Sequence, residues 1–152
     1  MPSRSRLGTS VRSNILRSGL AVALAIGFAF PSTAFASTIA FRAELKGAGM
    51  VPPTGSGATG YVHATYDTQS RKLTWTGDYS GLSSKITRIA FHGPAGPAAT
   101  AAVVQRIKSL SSGSTTLSDA EAAELIGGYW NITIHTRSHP DGEIRGQVER
   151  GE

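Results

Sequence analysis

The chain has 152 residues, no cysteine and a formal net charge of +5. Without cysteine, disulfide staples and thiolate metal centres are excluded. The basic excess is local: Arg4, Arg6, Arg12 and Arg17 lie in the first 36 residues with no acid, leaving 11 minus 10, or +1, for the rest, which is no footprint for nucleic acid.

The first predicted element is a leader. The four arginines precede an apolar run from Leu20 to Phe30, and Ala34-Phe35-Ala36 follows. That order of basic, apolar and small-residue segments predicts a secretory signal peptide over residues 1–36, cleaved after Ala36. The run is short for a bilayer span and Pro31 interrupts it, so no stable membrane span is expected after cleavage. The protein is then expected to be exported, periplasmic or secreted, and to start at Ser37. The intact mass of exported protein checks this; a mass that retains Met1–Ala36 contradicts it. Removing 36 of 152 residues leaves 116, enough for one domain, 37–152, with its own core.

Period-two alternation then predicts strands. In Thr38–Lys46, Ile39, Phe41, Ala43 and Leu45 take one face. Val62, Ala64 and Tyr66 do so in Gly60–Asp67, and Leu73, Trp75 and Tyr79 in Lys72–Tyr79. Further strands are expected at Ile86–His92, Tyr129–Thr136 and Glu143–Glu149. Val51–Gly60, rich in Pro, Gly, Ser and Thr, reads as a loop. Pro94 and Pro97 open a different interval, about 94–127, read as a helical insertion. Ala98–Leu110 places Val103, Val104, Ile107 and Leu110 at helical spacing. Ser118 to Glu121 form a capping-box pattern before Ala122–Ile126, with Gly127-Gly128 as a stop. These elements predict a mainly β fold, an antiparallel sandwich or barrel with a short helical insertion.

The stretch His135-Thr-Arg-Ser-His139-Pro-Asp-Gly-Glu143-Ile-Arg145-Gly carries the densest chemistry. Pro140 disfavours a helix at His139, so the two histidines are not a helical ligand pair. Pro-Asp-Gly suits a type I turn with Gly142 at positive φ, closing a hairpin between Tyr129–Thr136 and Glu143–Glu149. Side-chain parity puts Trp130, Ile132 and Ile134 inward and Asn131, Thr133 and His135 on the opposite face. Across the hairpin Glu143, Arg145 and Gln147 share that opposite face, as do Arg88 and His92 on their strand and His63 on its own. Two readings remain open. The histidines are solvated, with Glu143 and Arg145 an ion pair; or the polar faces meet beneath the insertion in a pocket. In the second, His92, His135, His63 and His139 are candidate ligands for copper or zinc, with Glu143, Arg145 and Thr133 as polar neighbours.

From about Phe41 to Val148 the chain resembles the CHRD domain, a module found in chordin and in exported bacterial proteins. "FRAELKGAGMVPP" resembles its opening strand and Val-Pro-Pro loop, and "LTWTGDYSGL" its central Tyr-Ser-Gly-Leu segment. "IAFHGPAG" resembles its His-Gly-Pro-Ala element, and "GYWNITIHTRSHPDGEIRGQV" its closing strand, turn and Gly-Glu-Ile-Arg-Gly-Gln signature. Ala90 stands where the family often has a first histidine, Met50 where an acid is common, and Thr133 where an asparagine is common. His63 and His139 are not usual family positions. The resemblance implies a β-rich, immunoglobulin-like domain with no established enzymatic activity.

The first functional reading is therefore a non-enzymatic binding or structural module for an extracytoplasmic protein or small ligand. The second is a histidine-based copper or zinc protein, possible redox activity included if the metal is copper. A hydrolase comes third, since Ser80-Gly81 has no nucleophile-elbow pattern and no oxyanion motif is visible.

Overall fold

The computed structural model describes residues 37–151. The expected leader, residues 1–36, lies outside the described residues. Alternating segments become strands as expected: β1 (Thr38–Lys46), β2 (Thr59–Asp67), β3 (Lys72–Ser80), β4 (Ile86–His92), β7 (Asn131–Thr136) and β8 (Ile144–Gln147). A 3-10 turn, Gly47–Gly49, follows β1, and the short β9 (Glu149–Arg150) pairs back onto it. Among the described residues, no helix is long and apolar enough to cross a membrane.

With β5 (Val103–Ile107) and β6 (Ser112–Thr116), the strands form one antiparallel sheet in the order β5-β4-β7-β8-β1-β2-β3-β6. It curls nearly into a barrel, because strands far apart in that order share a core. Trp75 of β3 meets Phe91 of β4 edge to face at 5.6 Å, and Phe91 meets Trp130 at 5.6 Å. Such aromatic pairs contribute roughly 0.5–1.5 kcal/mol each beyond area burial. Leu45, Leu73, Ile132, Ile134 and Ile144, all on the expected inner face, complete the core.

The insertion departs from expectation. Ala98–Leu110 is not a helix: Val103–Ile107 is β5, an edge strand paired with β4, and Ser112–Thr116 is β6, paired with β3. Helical spacing of four apolar residues is a weak signal. The β-branched Val103, Val104 and Ile107 suit an extended backbone, and the open edge of β4 supplies hydrogen-bond partners. β6 has no apolar alternation to read. Its Gly113 lies under Trp75, whose ring would sit 2.2 Å from a Cβ there, a close approach only glycine permits. The second helix does form, as α1 (Asp119–Ile126), with both bonds of the Ser118–Glu121 capping box present.

β7 and β8 form the expected hairpin, with Thr133 opposite Arg145 and Ile134 opposite Ile144. Gly142 has φ +124°, and a Cβ there would meet Met50 Cε at 2.5 Å and Thr133 Cγ2 at 2.8 Å. Gly142→Val is therefore expected to lower the melting temperature clearly more than Asp141→Ala, through a steric cost of about 1–2 kcal/mol plus the clash. Equal losses in thermal melts of the two variants would contradict this turn.

Candidate functional site

The face of β4, β7 and β8 opposite the core is not solvated. Two loops cover it, Gly47–Pro53 and Gly93–Ala102, tied down largely by Arg145. That side chain is 5% exposed and donates through Nη1 to the carbonyls of Gly49 (3.2 Å) and Pro97 (2.8 Å), and through Nη2 to those of Gly96 (3.2 Å) and Ala99 (2.9 Å). Gln147 Nε2 adds bonds to the carbonyls of Ala95 and Gly128. Every residue of β7 is consequently buried.

Beneath these loops His92 and His135 meet, their ring centroids 5.8 Å apart. Register explains how. His92 lies opposite Asn131, Ala90 opposite Thr133 and Arg88 opposite His135, so the rings start two cross-strand pairs apart. Ala90, between Arg88 and His92 on the same face by parity, carries only a small side chain. The two rings line a small cavity of about 170 Å³ with Arg88, Asn131, Thr133, Asp141, Met50, Val51 and Arg145.

The hydrogen-bond network assigns the imidazole protons. His92 Nδ1 lies 3.0 Å from the Ala101 carbonyl, and His135 Nδ1 lies 2.9 Å from that of Pro140. A carbonyl only accepts, so each Nδ1 carries hydrogen and each Nε2 keeps its lone pair. Arg88 Nη2 lies 3.1 Å from His135 Nδ1 and 3.2 Å from Nε2; with the Nδ1 hydrogen given to Pro140, the Nε2 lone pair is the acceptor open to the guanidinium. His92 Nε2 is buried without a partner, as are Arg88 Nε and Asn131 Nδ2. Burial pushes both histidines below their ordinary range, against the raising effect of the carbonyls. For His92 the Arg88 and Arg145 charges push further down; for His135, Arg88 and His92 do. The lowering favours the neutral form of both rings.

Glu143 is placed elsewhere. β8 begins at Ile144, and beyond a strand end the alternation no longer dictates direction. Its carboxylate is 0% exposed and accepts from Thr136 Oγ1 (2.6 Å), Ser56 Oγ (2.8 Å), Ser83 N (2.8 Å) and Ser83 Oγ (2.8 Å). The expected Glu143–Arg145 ion pair does not form, because each group is saturated by other partners. Burial alone would raise the Glu143 pKa, yet the bonds from Thr136, Ser56 and Ser83 outweigh it and hold it at about 2.

His139 joins this second cluster. Its Nδ1 stands 3.2 Å from Ser83 Oγ and 3.5 Å from Glu143 Oε2. Serine, histidine and carboxylate are thus together, but not as a nucleophilic triad. A triad needs the carboxylate on one imidazole nitrogen and serine on the other. Here both lie at Nδ1, and the serine proton goes to the carboxylate. His63 is apart from both clusters, exposed beside Tyr61 with ring centroids 5.5 Å apart. The four histidines therefore do not assemble into one site, and no group of three or more His, Asp or Glu at metal-binding distance occurs among the described residues.

A family model for the CHRD domain matches residues 41–148. The chain belongs to the CHRD domain family. No curated protein and no solved structure matches it. Of the three positions read from the sequence as departures from the family's usual residues, Met50 and Thr133 line the cavity and Ala90 faces Thr133 across the ladder. Arg88, Asn131 and Met50 escaped the sequence-based site list. The parity argument that placed His92 and His135 together puts Arg88 and Asn131 on the same face. Met50 comes from a loop, for which no periodicity applies.

Proposed function

We propose that this CHRD domain is an exported, non-enzymatic binding module whose ligand seats in the pocket between His92 and His135. The observation that carries the reading is the buried, unpartnered Nε2 of His92, beside the equally unpartnered Asn131 Nδ2 and Arg88 Nε. Leaving one such group unsatisfied costs about 1–3 kcal/mol, so three around one small cavity favour a ligand that satisfies them. A specific observation also supports the narrower reading of copper or zinc binding. Each Nδ1–H is fixed on a backbone carbonyl, the arrangement that orients metal-ligating histidines and fixes their tautomer. Two imidazoles ligating one ion have centroids about 5–6.4 Å apart, given metal–nitrogen bonds of about 2.0–2.1 Å, and 5.8 Å falls within that range.

The test is a titration of the purified protein with Zn(II) and Cu(II), followed at the histidine rings by NMR. Zn(II) is expected to shift His92 and His135 before His63 and His139, and His92→Ala and His135→Ala are each expected to abolish saturable binding. Copper, being paramagnetic as Cu(II), should broaden the same two rings first. Signals that move first at His63 or His139, or affinity unchanged in both variants, would contradict the proposal.

A further inference from the structure

Met50 is the cavity-lining residue whose chemistry the reading above leaves unused. It is 9% exposed and lines the same cavity as His92 and His135. Its position is fixed by the turn of the closing hairpin: Met50 Sδ and Thr133 Cγ2 lie 3.0 and 2.8 Å from the point a Cβ on Gly142 would occupy. Thr133 is the residue opposite Ala90 and lines the same cavity. The thioether is therefore held beside Thr133 and the Gly142 turn, at the wall of the cavity that both imidazoles line.

We propose that His92 Nε2, His135 Nε2 and Met50 Sδ form a binding site for a soft monovalent cation, Cu(I), which rests on the histidine pocket being the binding seat. Three arguments select this ion. A thioether is a soft donor that favours Cu(I), whereas carboxylates and waters suit harder ions, and Asp141 is the lone carboxylate lining the cavity. All three ligands are neutral, with each imidazole proton on Nδ1, so no proton must leave when the ion enters. Finally, the guanidiniums of Arg88 and Arg145 also line the cavity, and at a given distance they repel a monovalent ion half as strongly as a divalent one. Binding takes over the His135 lone pair to which Arg88 Nη2 now donates, so the guanidinium turns aside as the ion seats.

The experiment is an anaerobic competition between the protein and a chromogenic Cu(I) chelator, repeated with Ag(I) as a redox-inert mimic and with Zn(II). The wild type is compared with Met50→Leu, His92→Ala and His135→Ala, each shown folded by circular dichroism. Met50→Leu conserves side-chain volume, so it removes the sulfur with little disturbance of packing. The expected result is one Cu(I) per chain, weakened roughly tenfold or more by Met50→Leu and lost in both histidine variants. Zn(II) affinity is expected to be indifferent to Met50→Leu. X-ray absorption of the Cu(I) form should show a sulfur scatterer that Met50→Leu removes. If Cu(I) binding needs both histidines but ignores Met50→Leu, the thioether site is overturned and the histidine pocket stands. Zn(II) binding at the two histidines without any Cu(I) or Ag(I) binding also overturns it. Failure of every ion overturns this site and the metal reading together.

Discussion

Glu143→Leu is expected to lower the stability of the domain by about 4 kcal/mol, because it strips the acceptor from four donors at once, one buried and three part-buried. A hydrogen bond to a charged group contributes about 1.5–3 kcal/mol net, and a buried donor left unmade costs about 1–3 kcal/mol. Thr136, Ser56 and Ser83 supply those donors, and they come from three separate segments of chain. The loss therefore loosens the β2 entry loop and the β3–β4 loop as well as the hairpin. In thermal melts it should exceed about 10 °C. Glu143→Gln keeps one acceptor oxygen but brings an amide to a site furnished with donors, and should lose about half as much. The same carboxylate sets an acid limit. Its pKa is about 2 in the fold against 4.5 ordinarily, so the unfolded chain takes up the proton first. The stabilisation is complete above pH 4.5 and disappears as pH falls towards 2. It amounts to about 3 kcal/mol at 1.36 kcal/mol per unit, and Glu143→Leu should remove that component of the acid transition. The depressed histidines act in a separate window, destabilising the fold as pH drops below their ordinary 6.5.

Arg145→Met is expected to cost about 3 kcal/mol and to uncover the pocket. The planar guanidinium serves four carbonyls of two different loops, and removal leaves these part-buried acceptors without their donor. Arg145→Lys should recover little, since one ammonium on a flexible stem cannot span the fork of contacts that a guanidinium makes. Hydrogen exchange reads the consequence locally: protection should fall in Gly47–Pro53 and Gly93–Ala102 more than in β1 to β3. Uniform loss across the sheet would contradict the role given to Arg145 as the tie between these loops.

The sequence legibly carried the elements with strict alternation. Phe41, Ala43 and Leu45 reach the core as parity requires, and so do Ile132, Ile134 and Ile144. Parity also placed His92 and His135 on one face, and their meeting follows from β4 and β7 being neighbours. What the sequence hid was the cover. Nothing local signals that Arg145 will find its partners near Gly49 and Pro97, 96 and 48 residues away, so an outward-facing parity was open to being read as solvated. Glu143 escaped for a related reason: one residue beyond the strand end, its direction is set by Ser56 and Ser83 from distant loops. The mistaken helix over Ala98–Leu110 reflects the same limit, since only the unpaired edge of β4 converts Val103–Ile107 into a strand. CHRD membership covers residues 41–148, and within them the pocket's polar groups come from His92, His135, Asn131 and Arg88.

The most direct test of the histidine pocket is a long-range proton–nitrogen correlation spectrum of the imidazole rings in the metal-free protein, followed from pH 8 down to pH 5. His92 and His135 are predicted to be neutral Nδ1–H tautomers at pH 7, each with an unprotonated Nε2, and to take up protons only below the ordinary histidine range. Nε2–H tautomers, or rings already cationic at neutral pH, would contradict a pocket built to offer two lone pairs to a ligand.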